Sequence, residues 1–172
     1  LDGVDDYVDL DDWEWGGATS FEAYVKYDSF NYWSPVFCFG SGADADNVYL
    51  ANEKYSSTVA WDVYQGSGSN AVSLKTSSWD VSTWTHVVAT VSGTNLKLYK
   101  NGALVGTNVN DLTHEPVVST RTQHWLGRSN WDEFFDVRLP NPQQLVPQLT
   151  SVRSLARAQD YAPRTATTST AA

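Results

Sequence analysis

Trp84-Thr85-His86-Val87-Val88-Ala89-Thr90-Val91-Ser92-Gly93-Thr94-Asn95-Leu96-Lys97-Leu98-Tyr99-Lys100-Asn101-Gly102-Ala103-Leu104-Val105-Gly106 writes out three consecutive strands. Val87, Ala89 and Val91 alternate with Val88, Thr90 and Ser92, the period of two expected of a strand with one buried face. Ser92-Gly93-Thr94-Asn95 turns the chain. Leu96 and Leu98 then face one way and Lys97 and Tyr99 the other. Asn101-Gly102 supplies the positive backbone angles that a two-residue hairpin requires, and residues 103–107 form the returning strand.

Working outward, strand-like runs bounded by turn residues fall at 7–10, 20–27, 35–39, 47–52, 58–64, 71–75, 85–92, 96–100, 103–107, 123–126 and 134–139. No convincing helix interrupts them, and there is no internal repeat. This spacing predicts an all-β protein, a two-sheet antiparallel sandwich. After Leu139 the character changes, because Pro140, Pro142 and Pro147 follow in quick succession and the tail from Pro140 carries Arg153, Arg157 and Arg164 against one acid, Asp160. The reading is therefore a β domain over 1–139 and an atypical tail over 140–172, irregular or partly disordered, that is either a linker or an altered terminus.

The 172 residues suffice for one domain with a substantial core. Eight Trp and nine Tyr are an unusually dense aromatic complement. The net charge of −9 argues against nucleic acid, whose phosphates call for clustered Lys and Arg, and against anionic lipid surfaces. It suits neutral or cationic ligands, or a metal. Cys38, the single cysteine, excludes an internal disulfide and reads as a small buried strand residue. No apolar run is long enough for a transmembrane helix. With no Met and no signal peptide, the chain reads as a processed or excised piece.

The Trp-Thr-His-Val opening and the Leu-Lys-Leu-Tyr-Lys-Asn-Gly hairpin resemble the concanavalin A-like lectin/glucanase superfamily, and within it the laminin-G-like and pentraxin-like domains. Residues 1–8, 20–26, 126–129 and 136–139 are similar, in order, to that family's first, second and closing strands. The resemblance implies a jelly roll, and secretion or display at the cell surface. Pro140-Asn141-Pro142-Gln143-Gln144 does not match the segment with which such domains usually continue.

Some relatives are glycoside hydrolases, whose retaining mechanism needs two carboxylates about 5–5.5 Å apart. In that branch they come from a Glu-x-Asp-x-(x)-Glu strand, and none of Glu14, Glu22, Glu53, Glu115 and Glu133 stands in that pattern. His86, His114 and His124 form no triad-like group with a nucleophile, and His86 reads as a structural histidine. The expectation is a non-catalytic domain. The resemblance implies a structural calcium near the two chain ends, with Asp2 and Asp136 at the matching positions. Asp44, Asp46 and Asn47 form a second acidic loop where calcium would have ligands.

Strand parity sorts the aromatics. In 59–64 the set Val59, Trp61 and Val63 faces the core, leaving Asp62 and Tyr64 outside. By the same test Tyr24, Tyr49, Tyr99 and Trp125 lie opposite their apolar neighbours. Trp13, Trp15, Trp33, Trp79 and Trp131 fall in loops, while Trp84 reads as core. Rings beside hydrogen-bonding side chains suit a pyranose, which offers a C–H face to stack and hydroxyls to bond. The expected ligand-binding residues are Tyr24, Tyr49, Asp62, Tyr64, Tyr99, Trp125, Asn130 and Trp131. The expected function is a recognition module of a larger secreted or surface protein, binding a glycan or polysaccharide with calcium as a candidate aid, and without membrane insertion. An adhesion module with an extracellular protein partner is the first alternative, and a hydrolase with a non-standard site the second.

Overall fold

A computed structural model describes residues 6–66, 70–109 and 114–131 of the chain. Its strands are β1 (Val8–Leu10), β2 (Trp13–Trp15), β3 (Thr19–Val25), β4 (Pro35–Gly40), β5 (Val48–Asn52), β6 (Thr58–Tyr64), β7 (Ala71–Ser78), β8 (Thr85–Ser92), β9 (Asn95–Lys100), β10 (Ala103–Val109), β11 (Ser119–Arg121) and β12 (Gln123–Leu126). They form a six-stranded sheet in the order β1-β12-β4-β5-β6-β7, a four-stranded sheet β10-β9-β8-β3, and a small ribbon β11-β2. This is the expected antiparallel jelly-roll sandwich, and the described residues contain no α-helix. Accordingly, no described helix is long and apolar enough to cross a membrane. Asp2, Asp136, the run at 134–139 and the tail from 140 lie outside the described residues.

The opening meander folds as its alternation dictates. Val87, Ala89, Val91, Leu96 and Leu98 all enter the core, and the hairpin between β9 and β10 turns on Asn101 and Gly102 at φ 50° and 82°. From the facing sheet come Phe37 and Phe39 of β4, Val48 and Leu50 of β5, and Val59, Trp61 and Val63 of β6. Phe21 of β3 lies among them, its ring centroid 4.9 Å from Phe37 and 5.7 Å from Trp61. Trp61 is fully buried, and its indole N–H donates to the Thr90 carbonyl at 3.3 Å, joining the two sheets through the core.

Two edges are closed by side chains. Thr76 Oγ1 donates to the Val105 carbonyl and Asn108 Nδ2 to the Ser73 carbonyl, both at 2.7 Å, so β7 and β10 meet across the sandwich. At the other end the β11-β2 ribbon carries Trp13 and Trp15 inward. Trp15 Nε1 donates to His124 Nε2 at 2.8 Å, and Trp13 stacks on the same imidazole at 3.5 Å. Trp13, Trp15 and Trp79 are thus core side chains rather than loop aromatics at a rim. Trp84, read as core, instead lies half-buried against exposed Tyr24 at 5.2 Å, because it precedes β8 and never enters the inward register.

Candidate functional site

An antiparallel sheet with one solvated face alternates buried and exposed residues. The middle of the six-stranded sheet does not, since every residue of β4 and β5 is buried. Its outer face must therefore be covered. Register places Asp9, Trp125, Cys38, Tyr49, Asp62 and Ser73 in one cross-strand row on that face, and Ala51, Ala60 and Lys75 in a neighbouring row. A second apolar cluster forms here from Cys38, Tyr49 and Ala51 with Trp33, Tyr64 and Trp131 packed against it. The short side chains of Ala51, Ala60 and Ser73 keep the sheet low between taller aromatic walls.

The result is a cavity of about 500 Å³. Tyr49, Asp62 and Ser73 lie at its base, with Tyr32, Trp33 and Lys75 to one side and Asp44, Tyr64, Ser129 and Trp131 to the other. Trp131 sits 5.7 Å from Tyr49 and 5.6 Å from Tyr64, and Trp33 packs edge-on to Tyr49 at 6.4 Å. Exposed Tyr55 continues the wall beyond the cavity by packing on Tyr32 at 5.2 Å.

Two fully buried asparagines bracketing β5 hold the walls in place. At one end Asn47 Nδ2 donates to the Gly42 carbonyl at 2.8 Å while its Oδ1 accepts from Asn130 Nδ2. That bond, with Ser129 Oγ accepting from the Trp131 N–H at 3.1 Å, fixes the turn that presents Trp131. Gly40 is required beside it, because a Cβ there would occupy the position of the Asn47 side-chain oxygen. At the other end Asn52 Oδ1 accepts from Ser34 Oγ at 2.7 Å, and Asn52 Nδ2 donates to the carbonyls of Asn31 and Lys54. This ties down the loop carrying Tyr32 and Trp33, whose own backbone is held at φ 52°.

The polar chemistry centres on Asp62. It is 3% exposed, hydrogen-bonded to Ser73 and Tyr49, and its Oδ1 has no partner. Burial is the main cause that raises its carboxyl above the usual carboxylate range, against the opposing pull of the two hydrogen bonds and Lys75. Burial and the neighbouring Asp62 likewise raise the Tyr49 phenol, which also hydrogen-bonds to Tyr64. Lys75 is 2.6 Å from Glu53 and 5.3 Å from the Trp33 ring. Cys38 lies beneath this face, fully buried with its thiol pushed up to about 12, the inert strand residue expected.

Of the residues expected to bind ligand, Tyr49, Asp62, Tyr64 and Trp131 are gathered at the cavity and Asn130 supports it from behind. Tyr24 and Tyr99 are not. Both sit on the outer face of the four-stranded sheet, Tyr24 opposite His86 and Tyr99 opposite Val88, because parity gives a side of one sheet without saying which sheet. His86 finds its partner there, 2.7 Å from Glu22. Trp125 shares the cavity's face but packs with Tyr7 at 6.1 Å and under the Arg128 guanidinium at 4.4 Å, apart from the cavity lining. Trp33, Tyr32 and Lys75 join the site beyond the expected set.

In the acidic loop the side chains of Asp46 and Asn47 already take part in hydrogen bonds. Asp46 Oδ1 already accepts from the Gly66 N–H at 2.7 Å, and both amide atoms of Asn47 are engaged. Among the described residues no three His, Cys, Asp or Glu side chains form a metal-binding group.

A family model described as Concanavalin A-like lectin/glucanases superfamily, of the laminin-G type, matches residues 2–142. No curated protein matches the chain. Among solved structures, domain 4 of AbnA, a GH43 extracellular arabinanase from Geobacillus stearothermophilus in complex with arabinotriose, is similar at 18% identity and a TM-score of 0.59, over 75% of this chain and 61% of that one. This chain thus spans less than two thirds of that structure. The Ruminococcus gnavus IT-sialidase CBM40 bound to α2,3-sialyllactose is similar at 12% identity and a TM-score of 0.59, over 77% of this chain and 84% of that one. A heptameric SAP-like pentraxin from Limulus polyphemus follows at 16% identity and a TM-score of 0.52, over 71% and 57%. At these identities the likeness is one of fold.

Proposed function

The chain belongs to the Concanavalin A-like lectin/glucanases superfamily, and from there we propose that it is a non-catalytic, extracellular carbohydrate-binding module whose sugar lies in the aromatic cavity of the six-stranded sheet. The observation that carries this reading is the convergence of Tyr49, Tyr64, Trp33 and Trp131 around the buried Asp62. Rings of this kind stack on the C–H face of a sugar, and a few fixed polar groups select its hydroxyls. The cavity is roomy, and Tyr32 with Tyr55 extends its aromatic wall, which suits an oligosaccharide rather than a single sugar. The arabinotriose and sialyllactose complexes of similar folds support a glycan as the class of ligand.

A glycan array followed by titration calorimetry tests the reading. Trp131→Ala and Tyr64→Ala should each weaken the best oligosaccharide at least tenfold, about 1.4 kcal/mol. Tyr24→Ala, on the other sheet, should leave the affinity unchanged. Absence of binding to any glycan, with a protein captured instead, would move the function to adhesion. The proposal includes a structural calcium at Asp2 and Asp136.

A further inference from the structure

A site that stacks sugar rings has still to choose among sugars, and the charges around this cavity make that choice. Asp62 Oδ1 is a desolvated acceptor with no donor of its own, in a side chain whose residue is 97% shielded, at the base of the cavity. Such an oxygen is costly to bury unless a donor meets it. Asp62 lines the cavity, so a donor carried by a ligand there meets this carboxylate. The rim adds a second carboxylate, Asp44. Among the described residues the lining contains one cation, Lys75, and Glu53 lies against it at 2.6 Å.

Resting on the carbohydrate reading above, we propose that Asp62 makes the cavity selective for neutral, hydroxyl-rich oligosaccharides and excludes uronic and sialic acids. A ligand hydroxyl donates to the Asp62 carboxylate and adds to the hydrogen bonding of the base. A ligand carboxylate has no proton to donate at neutral pH, stands against Asp62 and Asp44, and recovers Lys75 only by displacing Glu53. The net charge of −9 over the whole chain opposes the approach of polyanions as well. The fold shared with a sialyllactose-binding module therefore does not extend to its class of ligand.

The test is binding of matched pairs: galactan oligosaccharides against oligogalacturonides of equal length, and lactose against sialyllactose. The neutral member of the pair that binds should be favoured at least tenfold. Asp62→Asn, which preserves shape but puts an amide where the acceptor stood, should cost the neutral sugar at least tenfold and narrow the gap to its acidic partner. A salt series on the wild-type protein provides a reading that needs no variant. Neutral-sugar affinity should be insensitive to salt, while any residual affinity for the acidic partner should rise as screening weakens the repulsion. Equal or tighter binding of the acidic member, or an unchanged neutral affinity in Asp62→Asn, overturns the selectivity and leaves sugar binding intact. Failure of the array and of both pairs overturns the carbohydrate reading beneath it.

Discussion

At the scale of single residues, the site depends on side chains that never meet the ligand. Asn47 and Asn52 are five positions apart at the ends of β5, about 17 Å along an extended strand, and each stitches one aromatic wall to the sheet. Asn47→Ala would leave Asn130 and the Gly42 carbonyl without their partner, at a cost of about 1–3 kcal/mol. It should also weaken sugar binding by releasing Trp131, and Gly40→Ala should do the same by filling the space of the Asn47 amide. Thermal melts and calorimetry on the two variants check this; an unchanged melt together with an unchanged affinity would contradict it. His124 makes a separate prediction. Burial, and secondarily Arg121, lowers its ring from 6.5 to about 4, and neutral Nε2 accepts from Trp15. The unfolded chain takes up this proton and the folded chain resists it. The stabilisation is therefore complete above pH 6.5, is lost as the pH falls to about 4, and changes no further below that. It amounts to about 3 kcal/mol. Denaturant midpoints between those limits should fall less steeply for His124→Phe than for the wild type, and equal slopes would contradict the assignment. Parity alone had separated Asp62 and Tyr64 from the core set, yet it could not tell Tyr49 from Tyr24. Only strand pairing decides which sheet a residue faces from.

Among the elements, long strands with two or three alternating apolar residues were legible, and β8 to β10 follow their hairpin chemistry closely. The ribbon of β2 and β11 was not. Each is three residues long, too short for a period to register, and they pair between distant parts of the chain. Its presence turns Trp13 and Trp15 from rim aromatics into core. The ribbon is locked by Arg121, which is fully buried without a carboxylate partner in the described structure. Its guanidinium donates to the carbonyls of Asp46, Trp15 and Val117 at 3.0, 2.7 and 3.0 Å and lies 4.1 Å over the Trp15 ring. Burial lowers it to about 10, still a cation at neutral pH. Arg121→Met would leave three carbonyls, the buried one of Trp15 among them, without their donor and should destabilise the fold by about 3 kcal/mol. A chemical melt within 0.5 kcal/mol of wild type, roughly the scatter of a surface substitution, would show that the ribbon does not rely on this clamp.

On the scale of the molecule, two sheets share a core and divide the remaining work. The four-stranded sheet carries polar pairs such as Glu22 with His86 on its outer face, whereas the six-stranded sheet builds a cavity on its own outer face, over β4 and β5 whose every residue is buried. That division could not be read from the sequence, because it arises where three loops, around Trp33, Asp44 and Trp131, come over the same sheet. The calcium at Asp2 and Asp136 is tested on the whole domain: a chelator should lower the melting temperature, Asp136→Ala should abolish that difference, and an indifferent melting curve would end the proposal. On the carbohydrate reading the six-stranded sheet, not the four-stranded one, carries the ligand. Amide chemical-shift mapping by NMR during titration with a neutral oligosaccharide should move Tyr49, Asp62, Tyr64 and Trp131 while leaving Tyr24, His86 and Tyr99 in place; shifts confined to those last three, or to neither face, would contradict it.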